Sequence, residues 1–218
     1  MAIRAIPNGD ERDKDVALGI RYAVDNGAKV INMSFGKSYS PNQKEVYEAI
    51  KYAEKHDVLL VHAAGNDNMD VDVEPNFPAA KFPFQKEDFT SYLTIGASTK
   101  NKKKELAASF SNYGDKTVDV FAPGFEIINT IPDNKYKKLQ GTSMAAPMVS
   151  GVAALIKSYF PELTMVQVKE IIMKSAKNYG DTEQIRPGTE KDMEPFKNYS
   201  KTGGVVNIPA AIKMAATY

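Results

Sequence analysis

Short apolar runs alternate with amphipathic segments along this chain, and that order constrains the fold more than any other feature. Residues 13–27 carry apolar side chains at helical spacing and end on a glycine, and the apolar run VINMSFG follows. The same order repeats in residues 42–66. Such alternation is typical of parallel strands whose two faces are covered by helices. We therefore predict an α/β fold with three layers, a mostly parallel sheet with helices on both faces.

The same patterns predict the later elements. Proline and glycine residues mark the ends of several of them. Strands are predicted at residues 92–99 and 117–124, a hairpin at 126–141, and helices at 143–160 and 164–176. The polar stretches 67–89 and 178–202 are predicted to be insertions over the surface. With 218 residues, the chain is expected to form a single domain, 1–218.

Composition excludes several function classes. The formal net charge is +1, so no net field favours nucleic acid, and the basic run 102–104 is expected to form a charged turn. The absence of cysteine excludes disulfides, thiolate metal sites and a cysteine nucleophile. No apolar run is long enough for a membrane span, and no signal peptide is predicted in this chain.

Candidate chemistry gathers where predicted strands end and a helix begins, at residues 34–36, 65–66 and 141–143. Ligands bind beyond the carboxyl ends of strands in open α/β sheets. Ser143 at a helix start would have its backbone N–H and the positive helix end near a developing oxyanion, and Asn66 could supply a second donor. Gly36 would let an extended peptide approach the backbone. Taken singly, these segments are equally typical of a helix N-cap or of a strand entering a turn.

Pro147 and Gly151 stand inside an apolar helical pattern. In a helix interior these residue types cost about 3 and 1 kcal/mol relative to alanine. Their presence favours a buried helix with a fixed N-terminus, in which Gly151 allows close approach to the sheet.

The residues around Ser143 resemble a known family. GTSMAAPMVSGVAALI resembles the serine signature of the subtilases, the subtilisin-like serine peptidases, and VINMSFG, VHAAGN, FSNYGDKTVDVFAPG and GGVVNIPAAI agree with other family segments in the same order. The resemblance implies that Ser143 is the nucleophile and Asn66 the oxyanion donor. The substrate-binding residues that it implies are Ser34, Phe35, Gly36, Ala63 and Gly65.

This resemblance also implies an activity. The intact protein would be a serine endopeptidase that cleaves a peptide or protein substrate through an acyl-enzyme on Ser143 and uses no cofactor. Family resemblance alone implies that it is secreted or extracytoplasmic. An esterase of the α/β-hydrolase class is disfavoured, because Ala145 breaks the G-x-S-x-G pattern.

The chain departs from the family at two motifs. The Asp-Ser/Thr-Gly and His-Gly-Thr-His motifs, which precede the substrate-binding strand in subtilases, are absent. His56, at a predicted helix end, and His62, in the middle of a predicted strand, are expected to have structural roles. We therefore expect the later part of a catalytic domain, truncated on its N-terminal side and inactive by itself. The alternative is a non-catalytic peptide-binding or assembly module that keeps the substrate groove.

Two further expectations concern ligands and partners. Asp70, Asp72 and Glu74 alternate in a polar stretch, but the glycine and glutamate of a calcium-binding loop are missing, so no metal site is predicted. A sheet that lacks its early strands exposes an edge and apolar faces. The chain is therefore expected to self-associate or to pair with the missing N-terminal part.

Overall fold

The computed structural model describes residues 1–6, 9–101 and 103–218. These described residues form five α-helices: α1 Asp13–Asp25, α2 Gln43–Lys55, α3 Thr142–Tyr159, α4 Met165–Lys174 and α5 Ile208–Ala215. The longer strands are β1 Val30–Met33, β2 Leu59–Ala63, β3 Tyr92–Ser98, β4 Val120–Pro123, β5 Ile127–Ile131 and β6 Lys135–Leu139. Four short strands are β7 Lys177–Asn178, β8 Glu183–Ile185, β9 Met193–Pro195 and β10 Gly204–Val205. Lys103 and Lys104 lie in a turn, and Lys102 of the same basic run lies outside the described residues.

The main sheet confirms the predicted α/β fold. It has six strands in the order β1-β2-β3-β4-β10-β7, and every pairing is parallel except that of β7 with β10. Alternate side chains of β2 face opposite layers: Leu59 and Val61 pack with α3 and α4, whereas Leu60 packs with α1 and α2. Helices therefore cover both faces of the sheet, and each layer has its own core. Strands β5 and β6 form the predicted hairpin apart from this sheet.

The helices form because their apolar residues repeat at helical spacing, and side chains cap the N-terminal ends of α4 and α5. In α1, Val16, Ile20 and Val24 lie on one face and are buried. Helix α4 begins with a capping box, in which the Thr164 hydroxyl accepts from the Gln167 N–H and the Gln167 side chain accepts from the Thr164 N–H. Local sequence therefore specifies both the buried face and the start of a helix.

The two polar stretches are not surface insertions, so that prediction is wrong. Phe77, Phe82 and Phe89 from the first stretch are buried in the layer of α1 and α2. Phe196 and Tyr199 from the second are fully buried beside β4. Their sequences lack helical or strand periodicity, and isolated aromatic side chains nevertheless anchor them because each buries a large apolar surface.

The longest helix, α3, has 18 residues and packs on the sheet through Ala145, Val149 and Val152. Gly151 lies on its exposed side, and a side chain there would meet nothing within 4 Å. The prediction that Gly151 lets the helix approach the sheet is therefore wrong. No helix within the described ranges combines the length and the apolar character needed to cross a membrane.

A buried carboxylate joins the middle of the sheet to the segment before β10. Asp119 is 0% exposed, and it accepts from the Thr94 N–H at 2.7 Å and from the Lys201 ammonium at 3.0 Å. The hydroxyl of Thr202 donates to the Asp119 carbonyl at 2.8 Å. This one residue therefore ties β3, β4 and the later chain together.

We expect the Asp119→Ala variant to lose about 3 kcal/mol of unfolding free energy, because the Lys201 ammonium and the Thr94 N–H lose a buried partner. Urea unfolding followed by circular dichroism measures this change. The control is Lys81→Ala, which removes an exposed ion pair with Asp88 and should cost about 0.5 kcal/mol or less. Equal losses in the two variants would contradict the proposed importance of Asp119.

Candidate active site

The candidate site is a cavity between two neighbouring strand ends. Pairing of β1 with β2 ends at Met33 and His62, whereas β2 stays bonded to β3 on its other side, where the Ala64 N–H donates to the Ile95 carbonyl. A cavity of about 140 Å³ lies between the segments that follow β1 and β2 and the start of α3. It is lined by Phe35, Gly36, Ala63, Gly65, Asn66, Asp67, Asn76, Thr142 and Ser143.

The structure brings the sequence-predicted site residues together. The cavity is lined by six of them: Phe35, Gly36, Ala63, Gly65, Asn66 and Ser143. The seventh, Ser34, is hydrogen-bonded to Ser143. Their catalytic and binding roles stay predictions. Sequence reasoning missed Asn76, and it gave no role to Thr142, although Thr142 lies within the predicted segment 141–143.

Ser34 and Ser143 form a reciprocal pair. The Ser34 hydroxyl donates to the Ser143 carbonyl at 2.9 Å, and the Ser143 hydroxyl donates to the Ser34 carbonyl at 3.1 Å. The Ser143 carbonyl is free for this bond because its helical partner would be residue 147, which is a proline without an N–H. Pro147 therefore removes one helical hydrogen bond, and the Ser34 hydroxyl donates to the Ser143 carbonyl in its place.

The amide of Asn66 is oriented by the first residue of α3. Its Oδ1 accepts from the Thr142 N–H at 2.8 Å and from the Thr142 hydroxyl at 3.1 Å. The Asn66 Nδ2 is therefore the end of the amide that can donate to a ligand. Ser143 is the second residue of the helix, where a backbone N–H has no intrahelical partner. An oxyanion in this cavity would have two kinds of donor at its border.

Gly141 gives α3 its start. Its φ of +146° is a conformation that residues with a side chain rarely adopt, and a side chain there would stand 3.4 Å from the Asn66 Oδ1. The glycine therefore permits both the turn and the close position of Asn66.

Asn76 closes the opposite side of the cavity. Its Nδ2 donates to the carbonyls of Ala63 and Ala64 at 3.2 and 3.1 Å. A side chain at Gly36 would lie 2.5 Å from the same nitrogen, which explains why residue 36 has no side chain. Asn76 lies in an aperiodic segment, so no local pattern could have assigned it to the site.

Both histidines of the chain have the predicted structural positions. His62 is 1% exposed, and its Nε2 lies 2.7 Å from the Phe35 carbonyl oxygen. Burial lowers the pKa of His62 from 6.5 to about 4, and the bond to Phe35 partly opposes this change. His56 is the C-cap of α2, and its Nδ1 lies 2.8 Å from the Tyr52 carbonyl oxygen. The hydroxyl of Ser143 is bonded to Ser34 and to neither imidazole.

The acidic stretch does not form a metal site in the part of the chain that the structure describes. Asp72 instead accepts from the Lys116 N–H at 3.0 Å, and Asp70 accepts from the Asp72 N–H at 3.0 Å. These bonds give the stretch a role in loop structure.

Comparison with known proteins identifies the family. The sequence profile of the subtilase family, peptidase family S8, matches residues 1–191. The chain belongs to the subtilase family. The resemblance noted in the sequence is thereby confirmed, and the fold agrees with it.

The subtilase chain is similar to named serine proteases. It is 35% identical over 173 residues to alkaline elastase YaB of Bacillus sp. (strain YaB), which covers 79% of this chain and 41% of that protein. It is 41% identical over 158 residues to the major intracellular serine protease of Bacillus subtilis (strain 168), which covers 71% of this chain and 45% of that protein. The chain thus spans less than half the length of these relatives.

Solved structures give the same fold. The patellamide maturation protease PatA superposes with a TM-score of 0.75 at 27% identity, covering 99% of this chain and 73% of that one. The prenylagaramide maturation protease PagA gives a TM-score of 0.74 at 28% identity, covering 97% of this chain and 70% of that one.

We expect acid to destabilise this subtilase through His62. Its folded-state pKa of about 4 lies below the ordinary 6.5, so the unfolded chain binds the additional proton between these values. The contribution of His62 to the unfolding free energy is therefore fully present above about pH 6.5. It is lost as the pH falls towards 4, by about 3 kcal/mol in all.

Urea unfolding at several pH values tests this expectation. The His62→Gln variant, which cannot take up the proton, should lose about 3 kcal/mol less than the wild type over the same range. Parallel pH dependences of the two proteins would refute the assignment to His62.

Proposed function

We propose that this chain carries the nucleophile and the oxyanion donors of a serine endopeptidase. The observation that supports this most is that Ser143, at the N-terminus of α3, shares one cavity with Asn66 and with the strand ends at Phe35 and Gly65. Residues 1–218 would form one domain, the later portion of a subtilase catalytic domain. The substrate would be a peptide or a protein, extended along residues 34–36.

The reaction follows from the groups at the cavity. The Ser143 Oγ attacks a peptide carbonyl carbon, and its proton passes to a general base. The oxygen of the tetrahedral intermediate accepts from the Asn66 Nδ2 and the Ser143 N–H. The C–N bond breaks, the amine leaves with the proton returned by the base, and water then hydrolyses the acyl-enzyme by the same steps. No cofactor is needed.

Among the described residues, neither histidine is available as a base at Ser143. The bonds of His62 to Phe35 and of His56 to Tyr52 hold both imidazoles elsewhere. The Ser143 hydroxyl donates to Ser34 and so rests in an unactivated state. We infer that the acid and the base come from polypeptide outside residues 1–218, and that the isolated chain is a poor enzyme.

A surface beside Ser143 suits such a partner. Strand β1 is one of the two edge strands of the main sheet, and its unpaired side leaves backbone groups available to another strand. Next to it, the exposed side of α3 is largely apolar, with Pro147, Met148, Gly151, Ala154, Leu155, Ser158 and Tyr159. We call these seven residues the α3 stripe. The edge of β1 and the α3 stripe together could bind the segment that carries the base, or a second copy of this chain.

A non-catalytic peptide-binding module is the second candidate function. The observation that favours it is the Ser143 hydroxyl bonded to a backbone carbonyl rather than to a base. Such a module would bind peptides in the same cavity without cleaving them.

The location of the whole protein stays a prediction. Family resemblance supports export, whereas the relative from Bacillus subtilis is named an intracellular protease.

We expect residues 1–218 alone to cleave casein or a chromogenic peptide no faster than the Ser143→Ala variant. Addition of polypeptide that carries the Asp-Ser/Thr-Gly and His-Gly-Thr-His motifs should then produce Ser143-dependent turnover, because general base catalysis typically contributes about 10²–10⁴-fold. Clear Ser143-dependent turnover by the chain alone would refute the missing base. Peptide binding without turnover after complementation would favour the binding module.

We also expect the chain to self-associate, or to bind the complementing polypeptide, through the α3 stripe. Tyr159→Glu should weaken this association by about tenfold or more, because it places a charge on an apolar contact. Sedimentation velocity over a range of concentrations measures the change. Tyr39→Glu is the matched control, since Tyr39 and Tyr159 are both 73% exposed. A monomeric wild type that also fails to bind the complementing polypeptide would contradict this expectation.

A further inference from the structure

We propose that His62 is a positioning residue for peptide binding, because its ring donates a hydrogen bond to the Phe35 carbonyl and thereby fixes the wall formed by residues 34–36. This inference rests on the proposed peptide site, since the wall is the part of that site along which a substrate would extend. His62 itself acts through Phe35 and does not line the cavity.

Residues 34–36 need such support because they lie beyond the last residue pair of β1 and β2. The last paired residue of β1 is Met33, whose partner in β2 is His62. One residue further, the Ser34 carbonyl accepts from Ser143 on α3. His62 reaches the next carbonyl, that of Phe35, at 2.7 Å. A side chain of β2 thus continues the attachment between the two strands after their backbone pairing has ended.

The far end of the wall is held from the other side of the cavity. The Lys37 N–H donates to the Phe77 carbonyl at 3.0 Å, and the Phe77 N–H donates to the Lys37 carbonyl at 2.8 Å. Residues 34, 35 and 37 are therefore attached to α3, to β2 and to the segment after Asn76. Without His62, the wall keeps its two ends and loses the attachment between them.

The surroundings of His62 determine which ring nitrogen carries the proton. A carbonyl oxygen accepts only, so the nitrogen that faces Phe35 must be Nε2–H. The ring of Tyr92 lies beside the imidazole, with centroids 6.1 Å apart, and the Tyr92 hydroxyl donates to the Pro78 carbonyl at 2.6 Å. His62 and Tyr92 therefore lie side by side, and each is hydrogen-bonded to a backbone carbonyl, that of Phe35 for His62 and that of Pro78 for Tyr92.

The role of the donor can be separated from the role of the ring volume. His62→Leu fills much of the space but has no donor, whereas His62→Gln retains an amide N–H that can reach a carbonyl. Loss of the donor also leaves the partly buried Phe35 carbonyl without its His62 partner, which destabilises this position of the wall. If the donor positions the wall, the Gln variant restores what the Leu variant loses.

The test uses residues 1–218 and an uncleaved peptide. The probe is a succinylated tetrapeptide p-nitroanilide with alanine next to the anilide, and its Kd is measured from NMR shifts of the Gly36 and Asn66 backbone amides. We expect binding to weaken by about tenfold in His62→Leu and to stay within about threefold of the wild type in His62→Gln. His56→Leu, the same exchange at the other histidine, should leave the Kd unchanged. Circular dichroism confirms that each variant is folded.

The alternative results overturn either the positioning role of His62 or the peptide site on which it rests. Equal Kd values for folded His62→Leu and the wild type would overturn the positioning role. A nitrogen NMR spectrum of the imidazole showing the Nδ1–H form would overturn it independently of any peptide. Failure of the wild type to bind the peptide would overturn the proposed peptide site itself. If His62→Leu does not fold, His62→Phe serves as a second variant without a donor.

Discussion

Buried backbone groups must find hydrogen-bond partners, and this requirement shapes the carboxyl edge of the sheet. Where β1 and β2 part, their free N–H and carbonyl groups would be unsatisfied if the strands simply separated. Side chains take the place of the missing strand bonds: His62 pairs with the Phe35 carbonyl, Asn76 with those of Ala63 and Ala64, and the Thr142 hydroxyl with the Gly65 N–H. The strands can therefore stay apart, and the space between them becomes the cavity beside Ser143.

The same requirement joins Ser143, the proposed nucleophile, to the rest of the site. A proline at residue 147 leaves the Ser143 carbonyl without a helical partner, and the Ser34 hydroxyl, just beyond the end of β1, donates to it. Thr142 likewise contacts both Asn66 and Gly65. The start of α3, Asn66 and residues 34–36 are thus parts of one hydrogen-bonded unit built on the parallel strands.

Elements with a clear period could be predicted from the sequence, as α1 and β2 show. The grouping of residues 34–36, 65–66 and 143 could also be predicted, because parallel strands end at one edge. Asn76 and the buried rings of Phe196 and Tyr199 could not, since they lie in aperiodic segments whose positions depend on distant contacts. Gly151 was predicted to face the sheet and lies on the exposed side of α3 instead, because a local pattern does not reveal which face of a helix remains uncovered.

The reciprocal bonds between Ser34 and Ser143 have a consequence for selectivity. A peptide that fits the wall poorly would shift Ser34 and, through these bonds, the nucleophile as well. A poor fit would then change the position of the Ser143 Oγ relative to the peptide carbonyl carbon, and it would change the affinity of the complex less. If the complete protein is the proposed peptidase, its good and poor substrates would accordingly differ more in kcat than in KM, so discrimination would take place after binding.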